Sequence, residues 1–236
     1  MMSSTVILCI GAHPDDVEIG MGGTVALHAD KGDHVYVCSL TEGELSSNGT
    51  VENRQKEAEA SASQLQVSGR YQLQFPDRGV SRTHHEYTNL LEIIRNIRPE
   101  VVFAPFYQDR HPDHAACSDI VRQAVFDAGI KKYPGVEYSA YKTDSLFYYF
   151  INGFDIPDFY VDISSGQERK ESALSCYESQ FVMKTGSVAT PLTEGYIESV
   201  RSRDAMFGKQ AGVRFAEGFK NASPLVFSSI PQRRTV

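Results

Sequence analysis

Apolar and polar positions along this chain fall into short runs that switch between two periods. Residues 5–10 (TVILCI) form an unbroken apolar, β-branched run closed by Gly11, the pattern of a strand buried on both faces. Residues 18–30 follow, with apolar or small side chains at Ile19, Met21, Val25, Ala26 and Leu27 and a glycine at 32, which predicts a helix with a glycine stop. Gly20, Gly22 and Gly23 imply close packing at the start of that helix. Residues 34–40 predict a second strand, 53–65 a second helix, and 71–75 a short strand closed by Pro76. Leu90, Leu91, Ile93, Ile94 and Ile97 recur at helical spacing within 85–97, and Pro99 ends that helix. A buried strand at 101–105 (VVFAP) and a helix at 114–128, stopped by Gly129, come next. Later strands are expected at 145–151 and 159–163, and later helices at 166–177 and 195–208. Strand alternating with helix over this much chain predicts a single α/β domain, a Rossmann-like, mostly parallel sheet with helices on both faces. The domain is expected over 1–220, with a Ser/Pro/Arg-rich peripheral tail over 221–236.

The 236 residues suffice for one such domain, and 41% hydrophobic with 22% charged residues is an ordinary globular balance. The net charge of -7, with no long Lys/Arg run, argues against a nucleic-acid partner. A small anionic substrate remains compatible, because a pocket can be locally positive. The apolar N-terminal stretch is too short for a signal-peptide core, and no stretch approaches the ~20 apolar residues of a membrane helix, so a soluble, cytoplasmic protein without a membrane partner is expected. Cys9, Cys38, Cys117 and Cys176 are scattered and form no C-x-x-C pair, which fits reduced, non-bridged thiols.

In an open α/β sheet, ligands bind at the carboxyl ends of the strands. Two segments that follow strands directly are dense in reactive groups: His13-Pro14-Asp15-Asp16 and Asp109-Arg110-His111-Pro112-Asp113-His114. A catalytic zinc takes three nitrogen or oxygen ligands from a protein and keeps one position open, and His13, Asp16 and His114 supply such a set. Asp15 is then the carboxylate left over, placed to act as a general base and later as an acid. Taken alone, His13 reads as a loop-capping histidine and Asp15-Asp16 as a solvated turn; two such clusters after two strands favour a metal. His111, as an imidazolium, could donate to a developing oxyanion. Asp113 could orient His111 or a metal-bound histidine, or could cap the helix that follows, or do both.

The paired H-P-D-D and H-P-D-H motifs resemble those of the PIG-L/LmbE-like deacetylases, zinc-dependent enzymes acting on N-acetylglucosamine compounds on a Rossmann-like fold. The segments Leu40 to Gln55, Pro76 to Gly79, Ile151 to Phe154, Tyr177 to Phe181 and Thr190 to Tyr196 further resemble the branch that makes bacillithiol. By resemblance, the substrate is N-acetylglucosaminyl-malate and His13, Asp16 and His114 hold the zinc, with iron or another divalent ion as alternatives. Asp15 matches the general base, His111 the residue that stabilises the tetrahedral intermediate, Arg54 a substrate-contacting arginine and Tyr196 a mobile tyrosine that polarises the amide carbonyl. A homo-oligomer is implied in the same way. Arg54 and Arg110 are candidates to grip the malate carboxylates bidentately, against a loop-bracing role for either. Asp77 could hold sugar hydroxyls, although P-D-R-G is equally a good turn.

Three other readings compete. A metal-dependent phosphoesterase would use the same clusters but commonly wants two metals and more carboxylates. A nucleotide-binding module is suggested by Gly20, Gly22 and Gly23, but their spacing is not G-x-G-x-x-G and two aspartates would repel a pyrophosphate. A deacetylase of chitin oligosaccharides, a glycolipid precursor or a mycothiol-type conjugate differs only in substrate.

Overall fold

The computed structural model describes residues 4–227. The chain runs β1 (Val6–Gly11), α1 (Asp16–Asp30), β2 (His34–Ser39), α2 (Val51–Leu65), β3 (Gly69–Gln72), α3 (Glu86–Ile97), β4 (Val101–Pro105), α4 (Pro112–Ala128), β5 (Ser145–Tyr149), β6 (Phe159–Asp162), α5 (Gln167–Ser175), α6 (Glu178–Phe181), α7 (Tyr196–Ala211) and β7 (Ala216–Asn221). One seven-stranded sheet has the order β3-β2-β1-β4-β5-β7-β6. Its first five strands are parallel, and β7 lies antiparallel between β5 and β6. The expected α/β class and mostly parallel sheet are both found.

β1 shows why an unbroken apolar run is needed at the centre. Leu8 and Ile10 enter one core with residues of α3 and α4, while Ile7 and Cys9 enter the other with residues of α1, α2 and α5. Both faces are covered, so no polar alternation is possible. Cys9, Cys38 and Cys117 are free and buried, and burial pushes the Cys38 thiol up to about 12, so they pack as small hydrophobes.

Three expectations need adjustment. The third strand lies at Gly69–Gln72, earlier than the apolar pattern placed it. The β7 strand is absent from the expected elements; it runs to Asn221, in register with Phe147, and residues 228–236 lie outside the described part. The glycines of α1 serve packing: a Cβ on Gly20 would stand 2.1 Å from the Tyr149 ring, and one on Gly23 would stand 2.7 Å from Ile163. The feature that suggested a phosphate cradle is thus explained by contact with β5 and the end of β6. No helix among the described residues is long and apolar enough to cross a membrane.

Candidate active site

Strand order reverses between β1 and β4, since β2 lies beyond one and β5 beyond the other. The loops leaving their carboxyl ends flank a crevice at that point, where α/β sheets bind ligands. A cavity of about 420 Å³ opens there, in the size range of small-molecule sites, and its walls include His13, Asp15, Asp16, Asp77, His111 and His114. The two motif segments, about 100 residues apart in sequence, therefore meet at one sheet edge.

The β1–α1 turn is tight. A Cβ on Gly11 would come within 2.9 Å of the Asp16 side chain, so this strand end accepts only glycine without a shift. Asp15 holds φ 103 and ψ -22, a left-handed geometry unfavourable for a non-glycine residue. The turn puts Asp15 and Asp16 on different errands. Asp16 accepts the His13 backbone N–H at 2.9 Å, and its two oxygens face two imidazoles: His114 Nε2 at 3.1 Å and His13 Nδ1 at 3.6 Å. Burial alone would raise the Asp16 carboxyl, but the imidazoles of His114 and His13 hold it well below the usual carboxylate range. Asp15 faces Arg54 and, less closely, His13, but also the like charges of Asp16 and Glu18, and burial outweighs the attraction. Burial pushes its carboxyl up to about 7, although the Arg54 guanidinium pulls the other way.

Each of these histidines turns its second nitrogen to a carboxylate. His114 Nδ1 stands 3.0 Å from Asp109, while His13 Nε2 stands 3.3 Å from Asp77 and 3.5 Å from Asp113. That arrangement fixes ring orientation and frees His13 Nδ1 and His114 Nε2 to face Asp16. The donor set suits a divalent cation on two counts. Neighbouring donors on a tetrahedral ion with ~2.1 Å bonds stand roughly 3.4 Å apart, and Asp16 offers one oxygen to each ring at a comparable distance, Oδ1 to His114 and Oδ2 to His13. Carboxylates also crowd the imidazoles: despite burial, Asp16 and Asp109 raise His114 to about 9, and Asp113, Asp16 and Asp77 raise His13 well above its ordinary value. A field that favours a proton on these rings favours a metal cation between them. Among the described residues, the triads whose single ligand atoms all lie within 4.8 Å of one another are His13–His111–His114 and His13–Asp77–Asp113, with Asp16 beside the first of them. Those two carboxylates are already engaged, Asp113 by the Arg78 N–H at 2.8 Å and Asp77 by the Leu45 N–H at 3.1 Å.

Several expected roles shift. Asp113 is not the helix cap: Pro112 takes the first position of α4, and His111 is the N-cap, its Nδ1 accepting the Asp113 N–H at 3.2 Å. Asp113 instead stands 3.5 Å from His13 Nε2. Because its Nδ1 accepts the Asp113 N–H, His111 is a neutral ring in this arrangement rather than an imidazolium; burial, then the nearby His13 and His114, also lower it below its ordinary value. With Nδ1 an acceptor, the neutral ring carries its proton on Nε2. Arg54 is almost fully buried, and its Nη2 donates to the Pro14 carbonyl and to Asp15 at 3.2 Å. It grips the candidate base, which displaces it as leading reader of a substrate carboxylate. Asp77 has both oxygens committed within the protein, to His13 and Leu45, and P-D-R-G does form a turn, with the Gly79 N–H donating to the Pro76 carbonyl at 2.8 Å. Arg110 is exposed on the cavity wall and donates to Asn152 at 3.1 Å. Tyr196 starts α7, stacks on Phe181 and donates to Asn152 at 3.2 Å. Asp109 and Asn152 were not assigned roles from sequence, although Asp109 opens the second motif.

Over residues 8–125 the chain matches the family described as PIG-L, GlcNAc-PI de-N-acetylase. It is 30% identical over 228 residues to diacetylchitobiose deacetylase of Thermococcus kodakarensis, a match covering 91% of this chain and 82% of that one. The chain belongs to this de-N-acetylase family. The deacetylase is accordingly an enzyme, a hydrolase of N-acetyl amides. Among solved structures it superposes on a conserved protein of Thermus thermophilus with TM-score 0.87 and 34% identity, covering 97% of this chain and all (100%) of that one. It also superposes on N,N'-diacetylchitobiose deacetylase of Pyrococcus horikoshii with TM-score 0.78 and 27% identity, over 91% and 82% of the two chains.

Proposed function

We propose that this deacetylase removes the N-acetyl group of an N-acetylglucosaminide with an acidic aglycone, N-acetylglucosaminyl-malate, the step that exposes the amine in bacillithiol synthesis. The observation that carries the chemistry is a carboxylate, Asp15, free of the His13–Asp16–His114 set yet buried beside it and pushed up to about 7. A general base works best when its pKa lies near the working pH. The acidic aglycone is supported by the extended resemblance in Leu40 to Gln55 and Thr190 to Tyr196 and by exposed arginines on the cavity wall.

In this reading His13, Asp16 and His114 hold one zinc or another divalent ion, which supplies Lewis acidity toward the acetyl carbonyl and toward water. Asp15 takes the proton from the attacking water and returns it to the departing amine. Arg54 keeps the Asp15 carboxylate in place through its Nη2. His111 donates from Nε2 to the oxyanion that develops on the carbonyl oxygen, and such a donor is typically worth about 3 kcal/mol. Tyr196 can add a second donor if it leaves Asn152; burial raises its phenol, so it stays protonated at working pH.

A second reading keeps this chemistry with a neutral substrate, diacetylchitobiose, favoured by the names of two relatives. Acetate release from N-acetylglucosaminyl-malate, diacetylchitobiose and N-acetylglucosamine separates the two, measured on chelated and zinc-restored enzyme. Preference for the malate glycoside, restored by metal, is expected. Equal or better turnover of diacetylchitobiose would replace the acidic substrate by the neutral one.

A further inference from the structure

We propose that Arg78 forms an anion subsite at the cavity rim that reads a carboxylate of the aglycone; this rests on the acidic-substrate reading above. Three arginines line the cavity. Arg54 is spent on Asp15, and Arg110 is tethered only by the neutral Asn152. Arg78 differs from both. It sits in the turn between β3 and α3 with φ 64, left-handed for a non-glycine residue, so its backbone direction is set by the fold rather than by preference. Its backbone N–H donates to Asp113 Oδ2 at 2.8 Å and its Nη1 donates to Asp113 Oδ1 at 3.1 Å. The guanidinium is thereby pinned at one corner while its side chain stays 50% exposed. Among the described residues, its Nε and Nη2 have no hydrogen-bond partner, so the outer edge of the fork is open.

Charge explains why such a residue is needed. Asp15, Asp16 and Asp77 line the cavity, with Asp109 and Asp113 behind its histidines, in a chain of net charge -7, and a substrate anion entering there meets repulsion. A cation at the rim, its fork already oriented, offsets that repulsion and holds a carboxylate away from the reacting centre, with the acetamide directed inward. Arg78 suits that task better than a free lysine because its Asp113 contact removes most of its rotamer freedom before the ligand arrives.

The test compares wild type, Arg78→Asn and Arg78→Lys on N-acetylglucosaminyl-malate, its dimethyl ester and diacetylchitobiose, reading kcat and KM separately. Asparagine tolerates the left-handed backbone, which protects the turn. Arg78 also touches Asp113, so any shift of His13 lowers turnover of all three substrates alike and cancels in their ratio. Arg78→Asn is expected to cut the preference for the dicarboxylate over its ester roughly tenfold to a hundredfold, mainly through KM, with Arg78→Lys between the two. A wild-type preference that survives in Arg78→Asn would overturn the subsite and leave the acidic-substrate reading intact. No wild-type preference for acid over ester would sink both.

Discussion

The most informative single change is Arg54→Met. It removes the one cation bonded to Asp15 while keeping an apolar side chain of similar length in a buried place. In the native enzyme Arg54 Nη2 stands 3.2 Å from Asp15 Oδ2, and both side chains are almost fully buried. A hydrogen bond to a charged group is worth about 1.5–3 kcal/mol, which corresponds to about one to two pK units. Burial already pushes Asp15 up to about 7 with Arg54 present, so its loss moves the carboxyl further up. The sign follows directly: the base must be ionised to act, so a raised pKa moves the acidic limb of kcat/KM to higher pH. From a carboxyl half ionised at about pH 7, a rise of one to two units lowers the ionised fraction roughly fivefold to fiftyfold, and activity recovers as pH is raised past the new limb. A bound cation shifts both limbs, so the displacement between the two enzymes is the quantity to read. Full pH profiles of metal-loaded wild type and Arg54→Met decide it. A loss of equal size at every pH, with the acidic limb unmoved, would show that Arg54 acts on substrate and not on Asp15.

Other changes test other parts of the site. Asp109→Asn removes the charge that His114 Nδ1 faces at 3.0 Å and should weaken metal affinity about 10–100-fold in a chelator competition; unaltered affinity would separate Asp109 from the metal set. Lys170→Met leaves the fully buried Asp204 and Glu217, each 2.6 Å from its ammonium, without their shared cation. A loss of about 3–5 kcal/mol is expected, read as a melting temperature lower by roughly 6–20 °C, and a shift of only a degree or two would contradict it. Asn48→Ala removes the pair of hydrogen bonds, 2.9 and 2.8 Å, that ties the Val188 backbone beside the cavity; faster amide exchange over 182–195 and faster trypsin cleavage at Lys184 should follow, and unchanged exchange would deny Asn48 that role.

What could be read from the sequence depended on whether burial was apolar. β1, β2 and β4 were legible because both their faces are covered and their side chains must be apolar. β7 (AEGFKN) was not, although its first four residues are buried. Glu217 occupies a core position, 1% exposed, and is answered there by the Gly23 and Thr24 N–H groups at 2.9 and 2.8 Å and by Lys170. A charged residue in a strand reads as solvent-facing until its partners are known. The same applies to Arg54, which reads as a free guanidinium at the start of α2 and proves to be enclosed. The clustering of His13, Asp16 and His114 was legible because strand–loop motifs in a parallel sheet converge on one edge. The partition of the aspartates, with Asp77, Asp109 and Asp113 serving histidines, depends on angles that no spacing reveals.

The buried charges also account for how α1 holds its first turn. Gly20, Gly22 and Gly23 let the helix approach the strands beside its apolar Val17, Ile19, Val25 and Ala26, and at Met21 (φ -150) the helix breaks. The Gly23 and Thr24 N–H groups, just beyond that break, donate to Glu217. On the near side, Glu18 accepts from the Ser61 hydroxyl at 2.9 Å and the Tyr177 hydroxyl at 2.8 Å. The segment bearing Asp15 and Asp16 is thus pinned on both sides of its kink by directional bonds to buried carboxylates. Such bonds fix orientation where glycine-rich packing does not, because a buried carboxylate left unpaired is costly and each partner geometry is narrow. Placement of the candidate base and of one metal ligand therefore depends on polar contacts from α2, from the turn before α6 and from β7, three elements whose own sequences carry none of the paired motifs.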